Sequence, residues 1–179
     1  MLDLSEKSPC AGMLPATAGA MRLDEVNPGP IWALAPNGDP KKAGSALKAA
    51  HGLEWPQPNG RSATPEAEVV FFDRQHAVLI GADPAPDLLK SVRATEHSDA
   101  WCVVSLAGAG ATDALARLST LDLNAMPEGA TARSHIGHMM GHITRLGAED
   151  WRLMVFRSMA STLVRELKEA MHHVHARHG

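Results

Sequence analysis

The stretch Trp101-Cys102-Val103-Val104-Ser105-Leu106-Ala107-Gly108-Ala109-Gly110-Ala111 decides how the rest of the chain is read. Its first six residues form a short apolar run of strand-forming types. The Gly-Ala-Gly step then turns the chain, and the spacing predicts a helix over about Thr112–Ser119. The same order occurs upstream. Ile31–Ala35 reads as a strand, and Pro40–His51 as a helix opened by proline and stopped by Gly52. Val69–Phe72 and Ala77–Ile80 flank the polar Asp73–His76 as a hairpin, and Asp87–Arg93 supplies a short helix. Downstream, Ala132–Leu146 and Trp151–Phe156 flank Gly147–Asp150 as a second hairpin, and a long helix runs from about Ser158. A β-α-β-β-α order is thus expected twice, with Trp32 and Trp101 opening the two units. The expected class is α+β, with paired layers in which each sheet covers its own helices. One domain over 31–179 follows, built from subdomains of about 31–95 and 98–179.

Nine of the twelve prolines lie in the first 65 residues. Residues 1–30 carry Pro9, Pro15, Pro28 and Pro30 with Gly12, Gly19 and Gly29, and read as an extended arm. Trp55–Pro65 has the same loop chemistry and reads as an exposed connection. The last helix is strongly patterned. Ser158 is the expected N-cap, and Met159, Leu163, Leu167, Ala170, Met171 and Val174 share one face.

Composition narrows the function classes. With 17 Lys+Arg against 20 Asp+Glu the chain has a net charge of −3, so there is no basic surplus for nucleic acid or an acidic membrane surface. The 45% apolar fraction includes 29 Ala, whereas Leu, Ile, Val and Phe number 36, a thin supply for a self-sufficient core. A folded chain that uses a partner to bury surface is therefore expected. Cys10 and Cys102 make no disulfide framework and suit a reducing compartment. No apolar run follows Asp3, Glu6 and Lys7, and none approaches a membrane span, so a cytoplasmic location is expected.

No constellation carries evident chemistry. His172, His173, His175 and His178 crowd the end of the last helix, where they suit the negative end of its dipole better than a metal site. His135, His138 and His142 do not converge on a strand, and Gly137 and Gly141 mark a place where another backbone or helix approaches closely. The Gly108-Ala109-Gly110 turn lies where a phosphate would be cradled, but it lacks a third glycine, and Asp113 would repel a pyrophosphate. Neither G-x-S-x-G nor C-x-x-C is present. Hence no catalytic, cofactor-binding or metal-binding residue is assigned.

Several phrases nonetheless resemble one family. Ser8-Pro9-Cys10-Ala11-Gly12-Met13-Leu14-Pro15, Ser98-Asp99-Ala100-Trp101 running into Val104–Ala111, and Leu121-Asp122-Leu123 look like the gamma subunit of heterotetrameric sarcosine oxidase. Thr131-Ala132-Arg133, Ile136-Gly137-His138 and Val155-Phe156-Arg157-Ser158 do so too, and the resemblance spans about residues 8–175. It implies a folate-aminomethyltransferase-like fold, similar to the N-terminal domains of the glycine-cleavage T-protein. It also implies a non-catalytic assembly subunit of a cytoplasmic complex that demethylates sarcosine to glycine with hydrogen peroxide and, with tetrahydrofolate, methylene-tetrahydrofolate. FAD, FMN, NAD and zinc would belong to the partner alpha, beta and delta subunits, and none to this chain. An equivalent subunit of a complex acting on another N-methyl amino acid such as N-methylglutamate, or a stand-alone folate-binding one-carbon protein, are the alternatives. On this reading residues 8–30 would drape over a larger subunit, which would cover Met13, Leu14, Met21 and Leu23.

Overall fold

Strands that are apolar on both sides need cover on both sides, and this requirement organises the molecule. The computed structural model describes residues 7–178; residues 1–6 of the expected arm and the side chain of His178 lie outside the described residues. Among the described residues eleven strands form two antiparallel sheets. In chain order they are β1 (Ala16–Ala18), β2 (Met21–Glu25), β3 (Ile31–Pro36), β4 (Arg61–Ala63), β5 (Glu68–Phe71), β6 (Ala77–Ile80), β7 (Val92–Glu96), β8 (Trp101–Ala107), β9 (Thr131–Ile136), β10 (Met139–Gly147) and β11 (Asp150–Phe156). Three helices accompany them: α1 (Pro40–His51), α2 (Ala111–Ala116) and α3 (Ala160–His178). The six-stranded sheet has the order β1-β2-β8-β11-β10-β9, and the five-stranded sheet β4-β5-β6-β3-β7.

The duplication is real but differs from the expected one. From its inner strand outward, β3-β6-β5-β4 in one sheet repeats as β8-β11-β10-β9 in the other, and α1 and α2 follow β3 and β8 respectively. The fifth position is exchanged. β2 precedes the first unit yet pairs with β8 of the second, Leu23 opposite Leu106; β7 precedes the second unit yet pairs with β3 of the first, Leu34 opposite Ala94. Each unit is therefore closed by a strand that leads into the other; the five-stranded sheet is complete within residues 31–96, whereas the six-stranded sheet takes β1 and β2 from ahead of the expected second subdomain of about 98–179.

Four expectations fail for local reasons. The arm is not extended over 16–25: β1 and β2 form a hairpin at the sheet edge, and Met21 and Leu23 are buried in the chain's own core, with Met13 and Leu14 packed against it. Asp87–Arg93 contributes only a turn of 3₁₀ helix, Leu88–Lys90, before β7 begins at Val92. Ala132–Leu146 is two strands, because Gly137 at φ 59° turns β9 back on β10, Ile136 opposite Met139. Within Trp55–Pro65, Arg61–Ala63 pairs as edge strand β4, and Pro56 is buried.

The sheets stack face to face with helices outside. Ile31, Val70, Val78 and Ile80 of one sheet meet Trp101, Val103 and Met154 of the other between the layers. Alternate residues of the same strands, Val69 and Leu79, pack with Ala43 and Leu47 of α1, while Cys102, Val104, Leu153 and Val155 pack with Leu115 of α2 and Leu163 and Leu167 of α3. Helix α1 is capped as its sequence requires: the Asp39 side chain accepts from the Lys41 N–H, and Gly52 adopts φ 68° at the C-cap. Helix α3 departs at its start. A 3₁₀ turn over Arg157–Met159 precedes it, so Ser158 does not cap it and Met159 is 42% exposed, whereas Leu163, Leu167, Ala170, Met171 and Val174 are buried as expected.

Candidate functional site

The glycine turn before α2 is filled by the chain itself. A side chain on Gly108, at φ 100°, would collide with the carbonyl oxygen of Ala20, and one on Gly110 would meet Val174 and Met21. The N-terminus of α2 is also occupied, since Glu149 Oε2 accepts from the Thr112 N–H at 2.8 Å. Residues 108–112 thus do not fit the phosphates of a dinucleotide or flavin. The glycines of β9–β10 behave as their positions suggest. Helix α3 brings Glu166 against Gly137, and Gly141 lies under Ile136, where an added Cβ would also sit 3.1 Å from the Met154 carbonyl oxygen.

The histidines are dispersed. His142 is buried, with Nε2 3.0 Å from the Phe71 carbonyl oxygen and the Thr131 hydroxyl 3.2 Å from its ring nitrogens. Burial, with Arg133 adding and the Phe71 carbonyl opposing, holds its pKa below the ordinary histidine value. His172, His173 and His175 are exposed on α3. Among the described residues no three His, Cys, Asp or Glu side chains are grouped to hold a metal ion.

The structure instead assembles an aromatic cleft that the sequence did not reveal. Trp101 and Phe156 are opposite one another in the β8–β11 register and stack with ring centroids 5.1 Å apart. Phe72 meets Trp101 edge-on at 5.8 Å and stacks on His142 at 5.9 Å. The Arg133 guanidinium lies 4.6 Å over the Phe72 ring, a cation–π contact. Phe72, Trp101, Arg133 and Phe156 line a cavity of about 520 Å³ together with Ala33 and Ala35 of β3, Val78 of β6, Arg93 and Thr95 of β7, His97, and the Asp73–His76 pair. Asp73 resists burial through the Gln75 N–H and the His76 ring and N–H, which hold its pKa below the usual carboxylate value. Phe156 is 49% exposed, while the buried Trp101 Nε1 has no hydrogen-bond partner among the described residues. Trp101 also borders a second cavity of about 360 Å³ that reaches Lys7–Pro9, Glu25 and Arg157. The cleft offers apolar and aromatic surface with two guanidiniums. It suits binding of a group with an apolar body and a negative end.

No family model and no curated protein sequence matches the chain. Its fold does match solved structures. A chain of heterotetrameric sarcosine oxidase from Corynebacterium sp. U-96, solved in complex with pyrrole 2-carboxylate, superposes with a TM-score of 0.79 at 20% identity, covering 94% of this chain and 96% of that one. The fold is that of a sarcosine oxidase chain. The glycine cleavage system aminomethyltransferase T from Bartonella henselae superposes with a TM-score of 0.59 at 15% identity, and this chain spans 46% of its length.

In this chain the two sheets are also tied by charge. The Glu68 carboxylate of β5 bonds Arg61 of β4 within its own sheet and Arg152 of β11 in the other. Burial pulls the Arg152 guanidinium down to about 10, with Arg61 adding to the effect. Among the described residues no helix is long and apolar enough to cross a membrane.

Proposed function

We propose that this chain is the non-catalytic gamma subunit of a cytoplasmic heterotetrameric sarcosine oxidase, which demethylates sarcosine to glycine with hydrogen peroxide and, with tetrahydrofolate, methylene-tetrahydrofolate. The observation that carries the reading is the end-to-end fold match to one chain of such an enzyme, 94% of this chain against 96% of that one. The phrase-level resemblance of residues 8–175 supports it from the sequence. In this reading FAD, FMN, NAD and zinc are held by alpha, beta and delta partners. The half-exposed Phe156 beside Arg93 and Arg133 gives a neighbouring subunit an aromatic, cationic face to cover.

Co-expression with alpha, beta and delta subunits, followed by size exclusion and a sarcosine-dependent peroxide assay, tests this. The expected result is a stoichiometric complex in which omission of this chain abolishes assembly and, through it, turnover. If the chain elutes alone while the other three assemble and turn over normally, the reading fails.

A further inference from the structure

We propose that Cys10 and Cys102 are a redox-modification site, a thiol pair that a hydroperoxide converts to an intramolecular disulfide fastening the N-terminal segment to β8. The two residues are 92 positions apart, yet their sulfur atoms lie 3.3 Å apart in hydrogen-bond contact. Both are buried and reduced. Cys102 is fixed in the rigid centre of the six-stranded sheet, opposite Val155. Cys10 belongs to a loop, and only a few bonds hold that loop down. Its N–H donates to Glu25 Oε1 at 2.8 Å, the Ser8 hydroxyl donates to Glu25 Oε2 at 2.6 Å, and Arg157 donates to the Lys7 carbonyl. Ala11 and Gly12, next to it, are exposed. A local opening of residues 7–13 therefore admits a small oxidant to both sulfurs while the β-ladder stays intact.

Either sulfur can donate in this contact. The hydrogen bond to the Cys102 sulfur, with burial adding, pushes the Cys10 thiol well above its ordinary value. The same bond lowers Cys102, and Arg157 assists while burial and Glu25 oppose. Cys102 is thus the sulfur that reaches the thiolate and acts as nucleophile. Its thiolate attacks one oxygen of hydrogen peroxide, the O–O bond breaks, and protonation of the departing hydroxide yields water and a sulfenic acid on Cys102. Cys10, losing its proton, then attacks that sulfur; the S–O bond breaks, the hydroxide takes up the proton as a second water, and the S–S bond forms. Two thiols and one peroxide give one disulfide and two waters. A thiol reductant reverses the step.

The test treats the native full-length chain with hydrogen peroxide, quenches, alkylates under denaturing conditions and maps tryptic peptides without reduction. Peptide 8–22 should appear joined to peptide 94–117, protected from alkylation and released by dithiothreitol. In Cys10→Ser, Cys102 should instead keep a sulfenic acid that dimedone traps. Hydrogen exchange over residues 7–13 should slow at least tenfold in the oxidised chain. The 40% exposed Met140 and 42% exposed Met159 serve as internal dosimeters. If both are sulfoxides while Cys10 and Cys102 remain alkylatable, the proposal is overturned. It is equally overturned if either cysteine proceeds to sulfinic acid unlinked, or if the disulfide joins two chains.

Discussion

Glu68 is the residue on which the contact between the sheets turns, because one carboxylate serves two guanidiniums, Arg61 and Arg152. Arg152 Nε and Nη2 are already buried without partners among the described residues, so removing the carboxylate to which its Nη1 donates leaves an uncompensated charge. Glu68→Ala should cost about 3–5 kcal/mol in urea denaturation, the range for breaking one side of a buried ion pair. An unchanged midpoint would show that the triad is hydrated rather than buried. His142 makes a second prediction at this scale. Its pKa is lowered in the folded state by burial first, so the folded chain resists the proton that the unfolded chain accepts near pH 6.5. Its contribution to stability is therefore complete above about pH 6.5 and is lost progressively as pH falls toward the depressed folded value. Urea melts between pH 7.5 and 5.5 should show the native chain losing up to about 1.4 kcal/mol per pH unit more than His142→Asn. Parallel slopes for the two proteins would refute the assignment. Glu68 did not stand out in the sequence, and His142 did so only as one of three histidines that do not converge, since each owes its role to strands far away along the chain.

At the scale of elements, α3 shows what periodicity can and cannot locate. Leu167 is fully buried against the six-stranded sheet, whereas Met159, given to the same face by a uniform 100° step, lies in the preceding 3₁₀ turn and is 42% exposed. Leu167→Ala should destabilise by about 2–5 kcal/mol and Met159→Ala by less than about 0.5 kcal/mol, as measured by thermal or urea unfolding. Comparable losses would mean that Met159 packs after all. Helix α1 was legible to the residue because Asp39, Pro40 and Gly52 are local signals with local causes. Strand β7 was not, for Val92-Arg-Ala-Thr-Glu is short and polar and becomes a strand by pairing with β3. The β9–β10 turn was hidden for a similar reason. Gly137-His138 lacks the Asn-Gly or Asp-Gly signature, and only the positive φ of Gly137 reveals the reversal. The aromatic cleft was the least legible feature. Phe72, Trp101, Arg133 and Phe156 come from separate elements, and their meeting depends on the stacking of the two sheets.

The exchanged strands give the whole molecule its cooperativity. β2 enters the six-stranded sheet from ahead of the first unit, and β7 enters the five-stranded sheet from ahead of the second. The six-stranded sheet therefore cannot be completed without β1 and β2, chain that runs directly into the five-stranded sheet, and this couples the two halves. The composition suggested a core too thin to stand alone, and it is the double use of strands that offsets this, with Val103 and Val104 or Val69 and Val70 filling opposite faces of one strand. The N-terminal segment belongs to this arrangement and is not a free arm. Met21 and Leu23 are 2% and 0% exposed, Leu23 pairs opposite Leu106, and the β1–β2 turn at Ala20 fills the space beside Gly108. Deleting residues 1–25 strips β8 of its edge partner and uncovers the core under α3. The loss of Met21 and Leu23 burial alone amounts to about 3–6 kcal/mol, comparable with the whole stability of many domains. The truncated chain should therefore lose its cooperative urea transition and near-UV circular dichroism even before any partner is added. A truncated chain that unfolds cooperatively at the native midpoint would show that the second unit closes its sheet without β2. In that event, any loss of complex formation on deletion would report a direct contact of the segment with a partner; with the fold lost, the same assembly defect follows from the missing edge strand.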